Sequence, residues 1–194
     1  PKNGIYGNSG FSLLFAEKVA SYFCDLVTSQ NKEDVDFSIE TRLVNKNKII
    51  KLTYGIDVDR FDSLKFSQGF ILVEKRKLGL ENKKVIGMVG RFVREKGYID
   101  LFEAFKVVKN KIPNVVLLLV SPKDIEKPDA LDKSILNKYK IDKDAVLLGY
   151  ENEITNIEEI YVLMDVFVLP SYREGFPYSI MEASASRKPV VATD

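Results

Sequence analysis

The sequence predicts an α/β protein built on a Rossmann-like, doubly wound parallel sheet, and two observations lead to this prediction. Short apolar runs rich in β-branched residues alternate along the chain with longer amphipathic stretches. The four apolar runs between Val85 and Leu169 are almost continuously hydrophobic, which is typical of strands covered by helices on both faces. In folds of this class, ligands bind beyond the carboxyl ends of the strands.

Each predicted element follows from its local pattern. Strand-sized apolar runs cover residues 24–28, 48–52, 85–89, 115–120, 145–148, 166–169 and 190–192. Helical patterns lie at residues 12–23, 34–44, 98–111, 130–139, 154–164 and 177–187. The segment from Phe61 to Gly79 is only moderately periodic, and no helix is predicted there.

Two features indicate how the chain is divided. Residues 54–61 place a glycine and three charged side chains directly after a predicted strand, so we expect a domain junction near residues 45–60. Residues 188–194 begin a strand that no crossover helix follows, and the chain starts at Pro1 without an initiator Met. We therefore expect a fragment that is truncated inside a fold at its C-terminal end.

The composition excludes several classes of function. With 29 basic and 28 acidic side chains the net charge is +1, so no strong field points to nucleic acid as a partner. The chain has no His and one cysteine, Cys24, which excludes His-based metal sites, Ser-His or Cys-His catalysis and a disulfide framework. No apolar run approaches the ~20 residues that span a bilayer, and the N-terminus lacks a signal-peptide layout, so we expect a cytoplasmic protein.

The first chemical motif lies at residues 90–97, between a predicted strand and a predicted helix. A turn from a strand into a helix N-terminus offers free N–H groups and the positive end of a helix dipole. Arg91 and Lys96 would add two cations that neutralise a diphosphate. The alternative is a solvated, charged surface loop. The glycine spacing matches neither a Walker loop nor G-x-G-x-x-G.

The second motif lies at residues 171–183, after the predicted strand that ends at Leu169. Pro177 suits the first turn of a helix, and Gly175 allows a ligand to approach the backbone closely. The N–H groups of residues 176–179 would then face an anion.

Two carboxylates accompany this second motif. Glu182 lies beyond the first helical turn, where dipole stabilisation is weak, but its carboxylate can accept two hydrogen bonds from a ribose diol. Glu174 would lie at the mouth of the crevice. The alternative is a helix cap and a solvated acidic face, because the spacing alone is not specific.

Five motifs in a fixed order give the sequence a specific resemblance. They are Gly-Ile-Asp-x-Asp-x-Phe at 55–61, Gly-Arg-x4-Lys-Gly at 90–97, Leu-Gly-Tyr at 148–150, Asp-Val-Phe-Val-Leu-Pro-Ser at 165–171 and Glu-Gly-Phe-Pro-x4-Glu-Ala at 174–183. This set resembles the retaining GT-B-fold glycosyltransferases of the E-x7-E group, which build bacterial capsular polysaccharides and exopolysaccharides. Residues 48–194 resemble their nucleotide-sugar donor domain, and residues 1–47 resemble a remnant of the acceptor-side domain and linker.

The resemblance implies a role for individual residues. Arg91 and Lys96 match the pair that holds the donor diphosphate, and Glu174 matches the acid that lies against the transferred sugar. These three are the implied catalytic residues. Glu182 matches the acid that grips the ribose, and the segment 148–153 would lie by the base. The further implied donor-binding residues are Gly90, Gly149, Tyr150, Gly175, Phe176, Pro177, Tyr178 and Ser179.

The implied reaction is the transfer of a sugar, with retention, from a UDP- or GDP-linked donor to a polysaccharide or lipid-linked acceptor. Cations and N–H groups stabilise the leaving diphosphate in this group, so no metal and no other cofactor is implied. A full-length protein of this kind is compatible with peripheral attachment at the inner face of the membrane. The fragment alone is expected to be inactive in transfer. It is also expected to dimerise through exposed apolar residues, namely Phe11, Leu14, Phe15, Val19 and Phe23.

One departure and two other functions bear on this interpretation. Where the group has a glycine-rich turn after the second strand of its donor domain, this chain has Ser121-Pro122-Lys123-Asp124. The runner-up function is a non-catalytic nucleotide or nucleotide-sugar binding module. A dinucleotide-dependent dehydrogenase is not supported, because the chain lacks both G-x-G-x-x-G after the first strand and an acid at the end of the second.

Overall fold

The computed structural model describes residues 10–52, 55–122 and 127–193, and it describes the side chains from residue 12 onward. The chain divides into two compact units, Pro1–Gly55 and Ile56–Asp194. This division into units falls after Gly55, and the predicted domain boundary between residues 47 and 48 stays a prediction. The side chain of Phe11, the residues Lys123 and Asp124, and the first residue of the stretch 54–61 lie outside the described parts.

The first unit contains two helices and two short parallel strands. In chain order these are α1 (Gly10–Phe23), β1 (Val27–Ser29), α2 (Lys32–Glu40) and β2 (Ile49–Lys51), with Val27 opposite Ile49. Helix α2 begins two residues before the predicted start at 34 because the Asn31 side chain accepts a hydrogen bond from the N–H of Asp34 at 2.7 Å. The strand predicted at 24–28 forms later, at β1.

The second unit alternates strands and helices, as the sequence predicts. Its elements are α3 (Val58–Phe61), a 3-10 turn (Ser63–Lys65), α4 (Gln68–Lys77), β3 (Lys84–Val89), a 3-10 turn (Arg94–Lys96), α5 (Tyr98–Lys111), β4 (Val115–Val120), α6 (Ile135–Lys138), β5 (Ala145–Leu148), α7 (Ile157–Tyr161), β6 (Val166–Leu169), α8 (Tyr178–Ala185) and β7 (Val190–Ala192). All five strands are parallel, in the order β5-β4-β3-β6-β7.

Strand β4 is buried along its whole length, which agrees with its unbroken apolar sequence. Strand β3 pairs with β4 on one side and with β6 on the other. The order of the strands therefore reverses between β3 and β6, and the loops that follow these two strands border the position at which doubly wound sheets have a crevice. In doubly wound sheets this position is the ligand site.

The helices differ most from the prediction where the apolar spacing is irregular. Helix α4 was not predicted, and the predicted helices at 130–139 and 154–164 form only the short α6 and α7. None of the helices in the described parts of the chain has the length and apolar character needed to cross a bilayer.

Candidate functional site

The loop of residues 90–97, which follows β3, is braced on several sides. Phe92 and Val93 are buried in the core. The hydroxyl of Tyr98 donates to the carbonyl oxygen of Gly90 at 2.8 Å, and burial raises the pKa of Tyr98, so the hydroxyl stays protonated. The N–H of Glu95 donates to Oδ2 of Asp129 at 2.9 Å. The backbone of this loop is therefore held by bonds to neighbouring segments.

Gly97 lets this loop approach the end of β6. Its φ is 76°, in the left-handed region, and a Cβ at this position would overlap the carbonyl oxygen of Pro170. Only glycine meets both conditions without strain. The loop after β3 is therefore packed directly against the start of the loop after β6.

Lys96 and Glu174 meet across this crevice. Nζ of Lys96 lies 2.7 Å from Oε1 of Glu174, and the two side chains are 14% and 24% exposed. Arg91, half-buried, lies on the same loop as Lys96, and Gly90 lies next to the aliphatic part of the Lys96 side chain. The structure thus brings together a cation and an acid that the sequence places 78 residues apart.

The loop of residues 171–177, which follows β6, has fewer attachments. The N–H of Tyr172 donates to the carbonyl of Glu95 at 2.9 Å, and its hydroxyl donates to Asp100. The hydrogen bond to Asp100 raises the pKa of Tyr172. Around Gly175, no other atom lies within 4 Å of the position that a Cβ would take. The backbone at Gly175 is therefore open to a ligand.

The start of α8 is arranged as a partly open helix end. Pro177 is the N-cap, one position before the first-turn position predicted for it. The N–H of Tyr178 donates to the carbonyl of Phe176 at 3.0 Å, so it is not directed at a ligand as predicted. Within the described residues, the N–H groups of Phe176 and Ser179 make no hydrogen bond. The rings of Phe176 and Tyr178 pack edge to face at 5.4 Å.

Glu182 lies on the second turn of α8, half-buried. Its Oε2 accepts a hydrogen bond of 2.7 Å from the hydroxyl of Tyr161, which is fully buried at the end of α7. Burial, and then the charge of Glu182, raises the pKa of Tyr161. The sequence did not indicate this partner.

Gly149 and Tyr150 line a cavity of about 690 Å³ along the edge strand β5. Tyr150 itself is only 8% exposed; its ring packs against Phe92 at 5.7 Å and its hydroxyl donates to Asp132 at 3.2 Å. Burial raises the pKa of Tyr150. The loop of residues 148–153 borders this cavity.

Comparison with known proteins shows the family to which this chain belongs. Residues 71–194, more than half of the chain, match the family described as Glycosyl transferases group 1. The chain belongs to this family of glycosyltransferases. It is 29% identical, over 98% of its length, to the capsular polysaccharide biosynthesis glycosyltransferase CapM of Staphylococcus aureus, of which it covers 49%.

One further relative and one solved structure are similar to this group 1 glycosyltransferase domain. The chain is 32% identical, over 84% of its length, to the UDP-Gal:alpha-D-GlcNAc-diphosphoundecaprenol alpha-1,3-galactosyltransferase of Escherichia coli, of which it covers 41%. Its fold is similar to that of Anabaena HepE, crystallised with UDP and glucose, with a TM-score of 0.78, 22% identity and coverage of 94% of this chain and 48% of HepE. The chain spans about half the length of the curated relatives it matches. Its five-stranded parallel sheet has the fold of a GT-B, Rossmann-like domain.

The sequence did not indicate the residues that hold the loops of the glycosyltransferase site in place through hydrogen bonds. Tyr161, Asp129 and Asp100 each hold a loop or a side chain of the candidate site, and none of them falls in a chemical motif. Their partners lie 21, 34 and 72 residues away in sequence, so only the packed fold reveals them. Across the described ranges, no group of three or more Cys, Asp or Glu side chains is arranged to hold a metal ion.

Proposed function

We propose that this chain is the donor-binding part of a retaining glycosyltransferase that transfers a sugar from a UDP- or GDP-linked donor without a metal ion. The acceptor would be a polysaccharide or a lipid-linked glycan. The observation that carries the proposal is the 2.7 Å approach of Lys96 to Glu174, from two different loops, at the point where the strand order reverses. The proposal is supported by a relative named for capsular polysaccharide biosynthesis, by another named for transfer to a GlcNAc-diphosphoundecaprenol, and by a structural neighbour crystallised with UDP.

The cations of the first loop would hold the donor diphosphate. Arg91 and Lys96 provide permanent positive charge, and the N–H groups of Phe176 and Ser179 add hydrogen-bond donors at the N-terminus of α8. Negative charge grows on the diphosphate as the sugar leaves, and donors fixed beforehand stabilise that charge. The same groups would take the place of a metal ion.

Glu174 would contact the transferred sugar. Without donor it is paired with Lys96, so donor binding exchanges one anion beside Lys96 for another. The bond from the anomeric carbon to the diphosphate would then break, and the acceptor oxygen would bond to that carbon from the face that the diphosphate leaves, which gives retention. The acceptor hydroxyl would pass its proton to the departing phosphate oxygen on the same face, and the nucleoside diphosphate would be released.

Calorimetry tests the diphosphate contacts. We expect UDP to bind much more tightly than uridine, because each charge-assisted contact contributes about 1.5–3 kcal/mol. The double variant Arg91→Ala, Lys96→Ala should remove this preference. Lys106→Ala, on α5, should retain it, because Lys106 pairs with the exposed Glu103 on the same helix at 3.4 Å. Equal affinity for uridine and UDP in the wild type would contradict the proposal.

Transfer assays separate an enzyme from a binding module. We expect this chain alone to bind donor without transferring sugar, because holding donor and acceptor together contributes ~7–11 kcal/mol and the chain spans about half of its relatives. Turnover by the full-length protein with a nucleotide-sugar panel and a lipid-linked acceptor, unaffected by EDTA and with retained configuration, supports the transferase. Binding without any turnover supports the nucleotide-sugar binding module.

A further inference from the structure

The motif at residues 55–61 takes no part in the proposed chemistry, yet it packs against the elements that carry it. Its helix, α3, is capped by Asp57, whose Oδ1 accepts from the N–H of Arg60 at 3.0 Å. Helix α3 contacts both α7 and α8. The motif therefore lies beside the helix that presents Glu182.

Tyr161 is the link between this motif and Glu182. Its ring packs against two phenylalanine rings: Phe61, at 5.8 Å edge to face, and Phe167 of β6, also at 5.8 Å. Both phenylalanines are buried, so the Tyr161 ring has little freedom to turn. Its hydroxyl therefore has a fixed direction, towards Oε2 of Glu182.

The hydrogen bond between Tyr161 and Glu182 also has a fixed direction from donor to acceptor. An ionised carboxylate only accepts hydrogen bonds, so Tyr161 must donate and Glu182 must receive. This bond occupies Oε2, while Oε1 of Glu182 accepts no hydrogen bond from the residues that the structure describes. The nearby guanidinium of Arg60 is bonded to Glu158 at 2.7 Å and to the carbonyl of Thr155 at 3.2 Å.

We propose that Tyr161 is a positioning residue, which holds Oε2 of Glu182 so that Oε1 is directed at a hydroxyl of the donor ribose. The inference rests on the proposed donor-binding role of Glu182. Phe61 contributes by fixing the Tyr161 ring, which connects the motif at 55–61 to the nucleotide. A purely structural role, in which Glu182 only satisfies a buried hydroxyl, makes different predictions.

A ligand that lacks the diol separates the two roles. The affinities of UDP and of 2′,3′-dideoxy-UDP are measured by calorimetry for the wild type, Tyr161→Phe, Glu182→Gln and the double variant. The wild type should prefer UDP by about tenfold or more, as for a lost hydrogen bond to a charged group. Tyr161→Phe should lose most of that preference, through weaker UDP binding, with dideoxy-UDP affinity unchanged. The double variant should be no worse than Glu182→Gln.

Two further variants complete the experiment. Tyr139→Phe removes the hydroxyl of a tyrosine that packs against Phe102, outside the site, and should retain the wild-type preference. Phe61→Leu leaves both polar groups in place but removes the ring contact, and should give an intermediate loss. It tests the inference independently of the Tyr161 substitution.

The inference is overturned if Tyr161→Phe keeps the wild-type preference or weakens both ligands equally. Equal affinity of the wild type for UDP and dideoxy-UDP also overturns it, while tight diphosphate binding leaves the proposed donor function intact. If neither UDP nor GDP binds, the proposed function fails and this inference fails with it.

Discussion

The two loops that form the crevice differ in how they are held. In the loop at 90–97, two side chains are buried in the core, and backbone groups are bonded to Tyr98 and Asp129. In the loop at 171–177, a Cβ at Gly175 would meet no described atom within 4 Å apart from its chain neighbours, and Tyr172 is 71% exposed. The loop at 90–97 is therefore held by more buried contacts and hydrogen bonds than the loop at 171–177.

This difference agrees with the proposed roles, in which the loop at 90–97 binds the diphosphate and the loop at 171–177 contacts the transferred sugar. Every donor has the same diphosphate group, so a rigid loop with two cations can bind it without a change in the conformation of the loop. The sugar varies, and a loop with few buried contacts opens at a lower cost in free energy. We therefore expect substitutions at the packed and hydrogen-bonded positions of the loop at 90–97 to change stability. Substitutions in the loop at 171–177 should change ligand binding and leave stability nearly unchanged.

The largest expected effect is that of Gly97→Ala. The substitution places a Cβ at a φ of 76° and against the carbonyl oxygen of Pro170. Strain and overlap together should lower the free energy of unfolding by about 2–4 kcal/mol. Urea unfolding followed by circular dichroism measures the change.

Gly175→Ala is the matched control in the other loop. Its φ is not in the left-handed region and a Cβ there has open space, so the free energy of unfolding should stay within about 0.5 kcal/mol of wild type. Affinity for a nucleotide-sugar should fall, because the methyl group narrows the ligand's approach to the backbone. Equal destabilisation by the two substitutions would remove the contrast between the loops.

The ion pair between the loops gives effects of opposite sign on UDP binding. Lys96→Ala removes a cation from the diphosphate and should weaken UDP binding about tenfold or more. Glu174→Gln removes the anion that competes for Lys96, so UDP should bind about threefold more tightly. Calorimetry with UDP, which lacks the transferred sugar, measures both. Weaker UDP binding by Glu174→Gln would show that Glu174 orients Lys96 rather than competing for it.

The sheet was predictable because its strands need little context. Strand β4 forms at residues 115–120 as predicted, since a short run of six apolar residues, half of them valine, is typical of a strand buried on both faces. Helix α4 was missed because its apolar residues are consecutive rather than spaced by three or four, and two of them, Leu72 and Val73, are 62% and 51% exposed. Ser67, whose Oγ accepts from the N–H of Phe70 at 3.1 Å, was an available start signal.

The candidate site was predictable only in part, for a related reason. Spacing located both loops, because a strand followed by a glycine and a helix start is a local pattern. The pairing of Lys96 with Glu174 depends on which strands are neighbours, and the bond from Tyr161 to Glu182 depends on how α7 packs against α8. No local pattern specifies such contacts, so they required the fold.

Asp129 offers a smaller test of the braced loop. Asp129→Ala removes the acceptor for the N–H of Glu95 and should lower the free energy of unfolding by about 1–2 kcal/mol. Asp129→Asn keeps a side-chain oxygen in place and should recover most of that loss. Thermal unfolding compares the two variants. If Asn is as damaging as Ala, the charge of Asp129 and not its hydrogen bond supports the loop.

The smallest effect on stability is expected for Tyr172→Phe. Its hydroxyl is exposed and bonded to Asp100, and an exposed hydrogen bond contributes little, so the free energy of unfolding should change by less than about 0.5 kcal/mol. The same bond is one of the few that tie the second loop to α5, so its loss should speed amide hydrogen exchange in residues 172–176 several-fold. Exchange in residues 90–97 should not change, and Asp100→Asn, which keeps an acceptor, should resemble the wild type. Faster exchange in both loops would mean that they open together, which would contradict the expectation that the loop at 90–97 is held more firmly.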